Sequence, residues 1–526
     1  MMFFNIFNTV ISLAMALTSK QIIDNATGGV KEKIWTLIVV YFVMILAVQA
    51  INVAMTMVGT MLNERFSFGI RKQIYEKILS SSWLDIQKYH TGDLMTRMTS
   101  DAGNIADGII NTLPSIITLL VELVLVFFTL FVYSPWLAVF AVLIAPVVAL
   151  VGWWLGGKMK QLQVKVQESE SSYRSFLQES IANLLVMKSF ANEEYASKRL
   201  VDLRENRFFW VFKRTKLSMV SSTIMSMSFQ LGYIVAFTYG ALQIAAGAIT
   251  YGTMSVFLTL VNRIQAPIME LAQKIPKVVS VLASAGRVIE LQDIALENYE
   301  ENNIEAKEIG LRIEHVNFGY TDEPVLTDVN LEMKPGETIA IVGESGIGKT
   351  TLIRLILSFM PADSGEIIFY NETGQEEKTN AACRKFMSYV PQGNTLFSGT
   401  IRENIRMGRL DATQEEMVEA LRMASALEFV SKLPKGLDTV IGEKGHGLSE
   451  GQAQRIAIAR ALIRKAPFLI LDEATSALDE ETELAVLQGI AQVSPKPTCL
   501  VITHRKSVLK YCDREIEIAH KRVTEV

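Results

Sequence analysis

The run Leu137–Leu155 carries no charged residue, and neither does Trp35–Ala50. Such runs restrict the fold more than any other feature of this chain. Inside a bilayer no water satisfies backbone N–H and C=O groups, so only helices and closed barrels cross it. A crossing helix needs roughly 20 mostly apolar residues. Six segments meet that requirement: about 2–20, 35–58, 113–133, 136–156, 218–244 and 252–274. The first lacks the basic start and A-x-A site of a secretory signal. The others are too long and too free of charge for buried helices of a water-soluble protein. Half of the 526 residues are hydrophobic, which agrees.

The links between these segments are unequal. Tyr133-Ser134-Pro135 and Ala245–Tyr251 are short, whereas spans two and three, and spans four and five, are separated by more than fifty residues. One long connector carries Arg65, Arg71, Lys72, Lys77 and Arg97. The other carries Lys158, Lys160, Lys165, Arg199, Lys213 and Arg214. Positive charge marks the cytoplasmic side, so both connectors and both termini are expected there, with the chain multi-pass in the plasma membrane. Lys20, Lys31 and Lys33, in the loop 20–34 on the other side, run against this rule. The connectors have helical periodicity and few glycines, so they read as helices continuing beyond the bilayer.

The chain changes character near residue 290. An acidic stretch, 291–309, holds Glu297, Glu300, Glu301 and Glu305 and reads as a solvated tether. From 310 to 526, apolar strand-like runs alternate with helical stretches, as in an α/β domain. The expected fold is therefore an all-α six-helix transmembrane domain (1–290) followed by an α/β P-loop nucleotide-binding domain. Net charge is only -4, which gives no reason to expect a nucleic-acid partner. Cys383, Cys499 and Cys512 have neither metal-ligand spacing nor a disulfide framework.

Two motifs in this domain carry chemistry, the second by its place about 120 residues after the first. Gly343-Glu344-Ser345-Gly346-Ile347-Gly348-Lys349-Thr350 follows the apolar strand Thr338–Val342 and precedes a helix opening at Thr351. Glycines turn backbone N–H groups around phosphate, and the helix N-terminus adds positive potential. Lys349 should reach the β- and γ-phosphates of ATP, and Thr350 should ligate Mg²⁺. Leu469-Ile470-Leu471-Asp472-Glu473 is an apolar strand ending in two carboxylates. Asp472 should hold Mg²⁺, and Glu473 should activate the attacking water as general base.

A third motif, Leu448-Ser449-Glu450-Gly451-Gln452, has no role in most phosphate-loop enzymes. With the first two and Gln392 in fixed order, it makes the domain resemble the ATP-binding cassette (ABC) ATPases. Glu450 departs from the signature, whose third position is more often Gly; Ser449 and Gly451 are retained. The resemblance implies further roles. Tyr320 would stack on adenine, Gln392 would sense Mg²⁺ next to the membrane domain, and His504 would contact the γ-phosphate. Ser476-Ala477-Leu478-Asp479 would cross between paired ATPases. Ser449, Gly451 and Gln452 would face the γ-phosphate, and Gly442-Glu443-Lys444-Gly445 would touch the partner's coupling helices. In the first connector, Tyr89–Arg97 with Asp101 resembles the membrane domain of ABC exporters, as does Glu179–Glu193 in the second. Their coupling helices would lie near 83–92 and 176–190.

The resemblance implies a half-transporter that pairs with a second chain, so that each signature closes the other chain's ATP site. Both halves of the catalytic set are intact, so a homodimer is expected, with a heterodimer as the alternative. The expected function is ATP-driven export of a peptide, lipid or amphipathic small molecule by alternating access. An ATP-gated channel or regulator, or an importer of the same fold, is the alternative. Polar groups within spans are costly and often functional. Glu122, Gln49, Asn52, Asn262, Arg263, Gln265 and Glu270 are such groups, and Arg263 and Glu270 share a helix face. That face is expected to line the substrate cavity.

Overall fold

The computed structural model describes the chain except Met1, 302–303, 305–307, Asp322, Ser345, 443–444 and Val526. The side chains of 140–154, Gln265, Met269 and Ala272 are also outside the described residues. The chain divides into two compact units: Met1–Tyr75 with Gly92–Glu290, and Glu76–Thr91 with Leu291–Val526.

The first unit is helical. Its long helices are Met2–Thr27, Lys31–Ser80, Leu113–Tyr133, Pro135–Ala182, Glu193–Ala245 and Tyr251–Gln292. Among the described residues, four helices are long and apolar enough to cross a membrane, those ending at Thr27, Ser80, Tyr133 and Ala245. The Glu193–Ala245 helix has 53 residues, or about 80 Å at 1.5 Å per residue. That far exceeds the roughly 30 Å hydrocarbon core, so the connectors do extend as helix. Between Tyr133 and Pro135 the chain reverses at Ser134, whose side chain caps the next helix at Leu137 N. Val126, Leu130, Ala236, Phe257, Leu260 and Ile264 form part of this unit's core. Lys20, which ran against the charge rule, pairs with Asp24 at 3.1 Å and lies 5.9 Å from the Tyr133 ring.

A buried charge network straps the Thr91–Asp107 stretch to the end of the Tyr251–Gln292 helix. Asp101, only 1% exposed, accepts from Arg287 Nε at 2.8 Å and Nη2 at 2.5 Å and from the Ser284 hydroxyl at 2.8 Å. The Arg287 guanidinium holds the Asp101 carboxyl below the usual carboxylate range. Arg97 reaches Asp93, Glu290 and the Arg287 carbonyl.

The second unit is built on two sheets. One is antiparallel, in the order β2 (Leu326–Met333), β1 (Ile309–Phe318), β4 (Ser364–Asn371), β5 (Glu376–Lys378). The other runs β12 (Arg522–Glu525), β11 (Arg514–Ala519), β3 (Thr338–Val342), β10 (Thr498–Ile502), β9 (Phe468–Asp472), β6 (Met387–Val390). Its members from β11 to β6 are parallel, with β12 added antiparallel. Residues of both sheets and the Lys349–Ile356 helix share one core, including Phe369, Phe468 and Leu352. A second core surrounds the Glu450–Leu462 helix. A two-stranded ladder, β7 (Gly399–Thr400) with β8 (Val440–Ile441), completes the strands.

Two expectations need correction. The stretch after Leu291 is docked over 294–297, while 299–301 stay exposed as a solvated tether would. Ala295 O accepts from Ser82 N, Glu297 N donates to Ser80 O, and Lys77 Nζ reaches Ile294 O, all within 2.7–2.9 Å. Arg384 then forks onto Glu297 at 2.7 and 3.0 Å. Backbone groups of both segments are satisfied by pairing, and the acidic side chain by a guanidinium. The second correction concerns coupling segments. The first is a single turn, Trp83–Ile86, and belongs to the second unit, where Trp83 lies against Phe359 with ring centroids 5.5 Å apart. The second breaks at Asn183, so that Leu184–Ser189 is a separate short helix with Leu185 and Phe190 exposed.

Arg287→Ala should lower the unfolding free energy by about 2–3 kcal/mol, because it strands the Asp101 carboxylate; half-solvation of Arg287 keeps the loss below that of a wholly buried pair. Thermal unfolding of wild type and variant in the same detergent checks this.

Candidate active site at the strand ends

Parallel strands point their carboxyl ends the same way, and ligands of open α/β sheets bind there. Ile502 pairs with Asp472 on one side and with Ile341 on the other, while Val390 pairs with Leu471. The register therefore brings four chain segments level: the loop after Val342, Pro391-Gln392, Asp472-Glu473 and Thr503-His504.

The side chains converge accordingly. Lys349 Nζ donates to Gly343 O at 2.6 Å and to Glu344 O at 3.1 Å, and lies 3.0 Å from His504 Nε2. Burial lowers the Lys349 pKa. His504 Nε2 is also 3.2 Å from Glu473 Oε1. The other Glu473 oxygen accepts from Gln392 Nε2 at 2.6 Å. Glu473 has φ +48°, a left-handed conformation of the kind that stores backbone strain at functional sites. Asp472 is buried and accepts from Tyr389 OH at 3.2 Å and from Thr350. Burial raises its pKa above the usual carboxylate value and, with the Asp472 charge, pushes the Tyr389 phenol up as well. Tyr389 thus stays a donor.

The loop itself turns on three glycines with positive φ, Gly343, Gly346 and Gly348, the last at +116°. A Cβ there would lie 3.2 Å from both Leu326 Cδ2 and Val325 Cγ1. Ile347 packs against the sheet core. Thr351 is buried, and its hydroxyl lies 3.3 Å from Tyr320 OH, which also accepts from Arg354. The Tyr320 ring is left exposed. Ser345 lies outside the described residues, as do Glu443 and Lys444.

An ammonium group, a helix N-terminus and a backbone loop of left-handed glycines thus face two carboxylates. This suits a polyphosphate with a divalent cation. The Thr350 hydroxyl and Asp472 carboxylate are the hard oxygen donors such a cation takes, and Mg²⁺ usually needs few from the protein because phosphates and water supply the rest.

The signature residues belong to a separate cluster. Ser449 caps the Glu450–Leu462 helix: its Oγ accepts from Gln452 N, and Gln452 Oε1 accepts from Ser449 N. This reciprocal cap fixes the helix start. Gly451 has a local reason to lack a Cβ, which would sit 2.9 Å from Ala477 O. Asp479 caps the next helix by accepting from Thr482 N and Oγ1. Sequence reasoning missed the groups that hold these pieces. Gln454 bridges Ser476 Oγ and Ala477 N, and Arg505 donates to Ser476 O, Leu478 O and Glu483. It also missed Tyr389, although its place three residues before Gln392 on a strand was a usable signal.

Within the helical unit, Glu122 lies on the Leu113–Tyr133 helix, and Arg263 and Glu270 lie on the Tyr251–Gln292 helix. Pro267 and Pro276 interrupt the hydrogen bonding of that helix. Asn52 is instead bonded to Asn8 at 3.0 Å, a contact between helices. The Gln265 side chain lies outside the described residues.

Fold and site together define a membrane-embedded phosphate-loop ATPase. Comparison with known families gives its lineage. Residues 1–268 match the family model of the ABC transporter transmembrane region, and 326–476 match that of the ABC transporter. The chain belongs to the ABC transporters, as a half-transporter of the exporter type with fused membrane and ATPase parts, and it couples ATP hydrolysis to membrane transport. It is 32% identical over 468 residues to an ATP-dependent lipid A-core flippase of Syntrophus aciditrophicus, covering 88% of this chain and 78% of that protein. It is 32% identical over 475 residues to a protein of Staphylococcus aureus named as a multidrug export ATP-binding/permease protein, covering 88% and 81%. The fold is also that of a solved bacterial Atm1-family ABC exporter with ATP bound, with TM-score 0.84, 23% identity and coverage of 99% of this chain and 94% of that one.

Gly348→Ala should cost about 1–3 kcal/mol of stability through backbone strain and crowding. It should also abolish binding of a fluorescent ATP analogue. Thermal unfolding and equilibrium titration on the same preparation check both.

Proposed function

We propose that this chain forms a dimeric exporter that moves lipids or lipid-like amphipathic molecules, with its ATPase unit and both termini in the cytoplasm. The carrying observation is the pairing of Gln392 and His504 with the two oxygens of Glu473. A carboxylate held at both oxygens has a fixed direction, as a general base requires. The named activities of the two relatives, a flippase and a drug exporter, support an amphipathic cargo.

In this reading the loop 343–349, with Thr350 and Thr351, holds the ATP phosphates, and Tyr320 offers its exposed ring to the adenine. Mg²⁺, held by Thr350 and Asp472 with Gln392 nearby, would neutralise charge developing on the phosphates. Tyr389 keeps Asp472 in place. Glu473 removes the proton of the attacking water, and His504 orients Glu473 and contacts the terminal phosphate. Ser449, Gly451 and Gln452 act on the ATP of a second copy of the chain. Their hydrogen bonds stay within their own helix start, which supports a role in trans. The exposed apolar residues of Leu184–Ser189 and Phe190 support a docking role toward that second copy. The basic connectors support the orientation. The working division is 1–290 for the membrane domain, 291–309 for the linker and 310–526 for the cassette, with Glu76–Thr91 folded into the latter. Glu122, Arg263 and Glu270 are the proposed cargo contacts.

ATPase turnover in lipid nanodiscs tests this reading. Glu473→Gln should reduce turnover by about 10²–10⁴-fold. Phospholipids or amphipathic drugs, and not hydrophilic peptides, should stimulate the wild type. Arg263→Ala with Glu270→Ala should remove stimulation and leave basal turnover. Negligible wild-type turnover despite ATP binding would replace export with gating.

A further inference from the structure

A groove of about 920 Å³ lies between the Pro135–Ala182 and Glu193–Ala245 helices. Its walls carry Lys158, Lys165, Lys213 and Lys216 against a single acid, Glu168. We propose that it binds one anionic phospholipid of the leaflet on the side of the long helical extensions. The lysines take the phosphate, and Leu162, Leu217 and Val220 guide an acyl chain.

Depth is the first argument. Lys158 follows the charge-free run Leu137–Leu155 by three residues, and Lys216 precedes the apolar segment 218–244 by two. At 1.5 Å per residue the backbone at both lysines lies within about 5 Å of the hydrocarbon edge, at the headgroup layer. Lys213 and Lys165 stand further out along the same walls.

Helical spacing is the second. Lys158, Leu162 and Lys165 recur at i, i+4 and i+7, and Trp210, Lys213 and Leu217 at i, i+3 and i+7, so each set forms one face. The two faces are held together close by. Arg214 donates to Gln163 at 3.0 Å, and Arg207 is paired with Glu170.

Charge is the third. Glu168 is bonded to Lys165 at 2.9 Å, so the lining keeps a net positive charge. The contacts described for Lys213 and Lys216 are aromatic faces: 5.4 Å to Trp210 and 5.7 Å to Phe209, and 4.6 Å to Phe212. Ring faces position an ammonium without neutralising it. Basic pockets between helices at this depth, with an aromatic at the interface, suit an anionic headgroup. A soluble anion would have no use for the apolar wall.

Native mass spectrometry of the full-length protein, equilibrated with equal phosphatidylglycerol and phosphatidylcholine, tests the site directly. Its readout depends neither on ATP turnover nor on the transported cargo. The wild type should retain phosphatidylglycerol at least about tenfold over phosphatidylcholine. Lys213→Ala with Lys216→Ala should abolish that preference, and the same positions changed to Arg should keep it. Lys31→Ala with Lys33→Ala, outside the groove, should leave it intact. Glu168→Gln should raise retention, which keeps the test decisive if the alanine pair fails to fold. Equal retention by the alanine pair, no gain in Glu168→Gln, or displacement of the lipid by excess inorganic phosphate would each overturn the proposal.

Discussion

Ile502 sits between Asp472 and Ile341 in the parallel ladder, and the ATP site depends on that pairing. Because β3, β10, β9 and β6 run in one direction and in step, four loops distant in sequence open along one edge. A slip of one residue would turn every side chain to the other face. The same order explains why Lys349, Gln392, Glu473 and His504 form one bonded group.

The helical unit obeys a different constraint. The bilayer demands helix wherever the backbone has no water. It does not dictate the course of the chain beyond the membrane, where each helix must find other reasons to stay ordered. Ion pairs between helices supply some of them: Arg207 with Glu170, and Arg287 with Asp101. These pairs join residues 37 and 186 positions apart. The Asp101 network stands out because a carboxylate that is almost wholly enclosed needs every one of its bonds.

Much of this was legible in the sequence. The apolar runs located the helices, with Leu113–Tyr133 beginning and ending where hydropathy placed it. The glycine spacing and the carboxylates ending an apolar strand located the nucleotide site. The docked linker was not legible. Glu297 looks like any solvated acid until Arg384, 87 positions later, is brought against it. The supporting residues were hidden for the same reason. Gln454 lies in an ordinary helix, and Arg505 simply follows His504, yet together they anchor Ser476–Leu478 from both sides.

The sequence by itself determined the class of element at each position and the residues able to bind phosphate. Periodicity, absence of charge and glycine spacing act locally, and a reader needs only neighbours within a few positions to see them. The tertiary structure alone decided which groups share a site. It joined Glu473 to Gln392 and His504, turned Tyr389 toward Asp472, and gave Gly451 a local packing reason. It also gathered four lysines of two helices around one groove. Those outcomes depend on strand register and helix rotation, which are set by the packing of the whole unit and leave no mark at any single position.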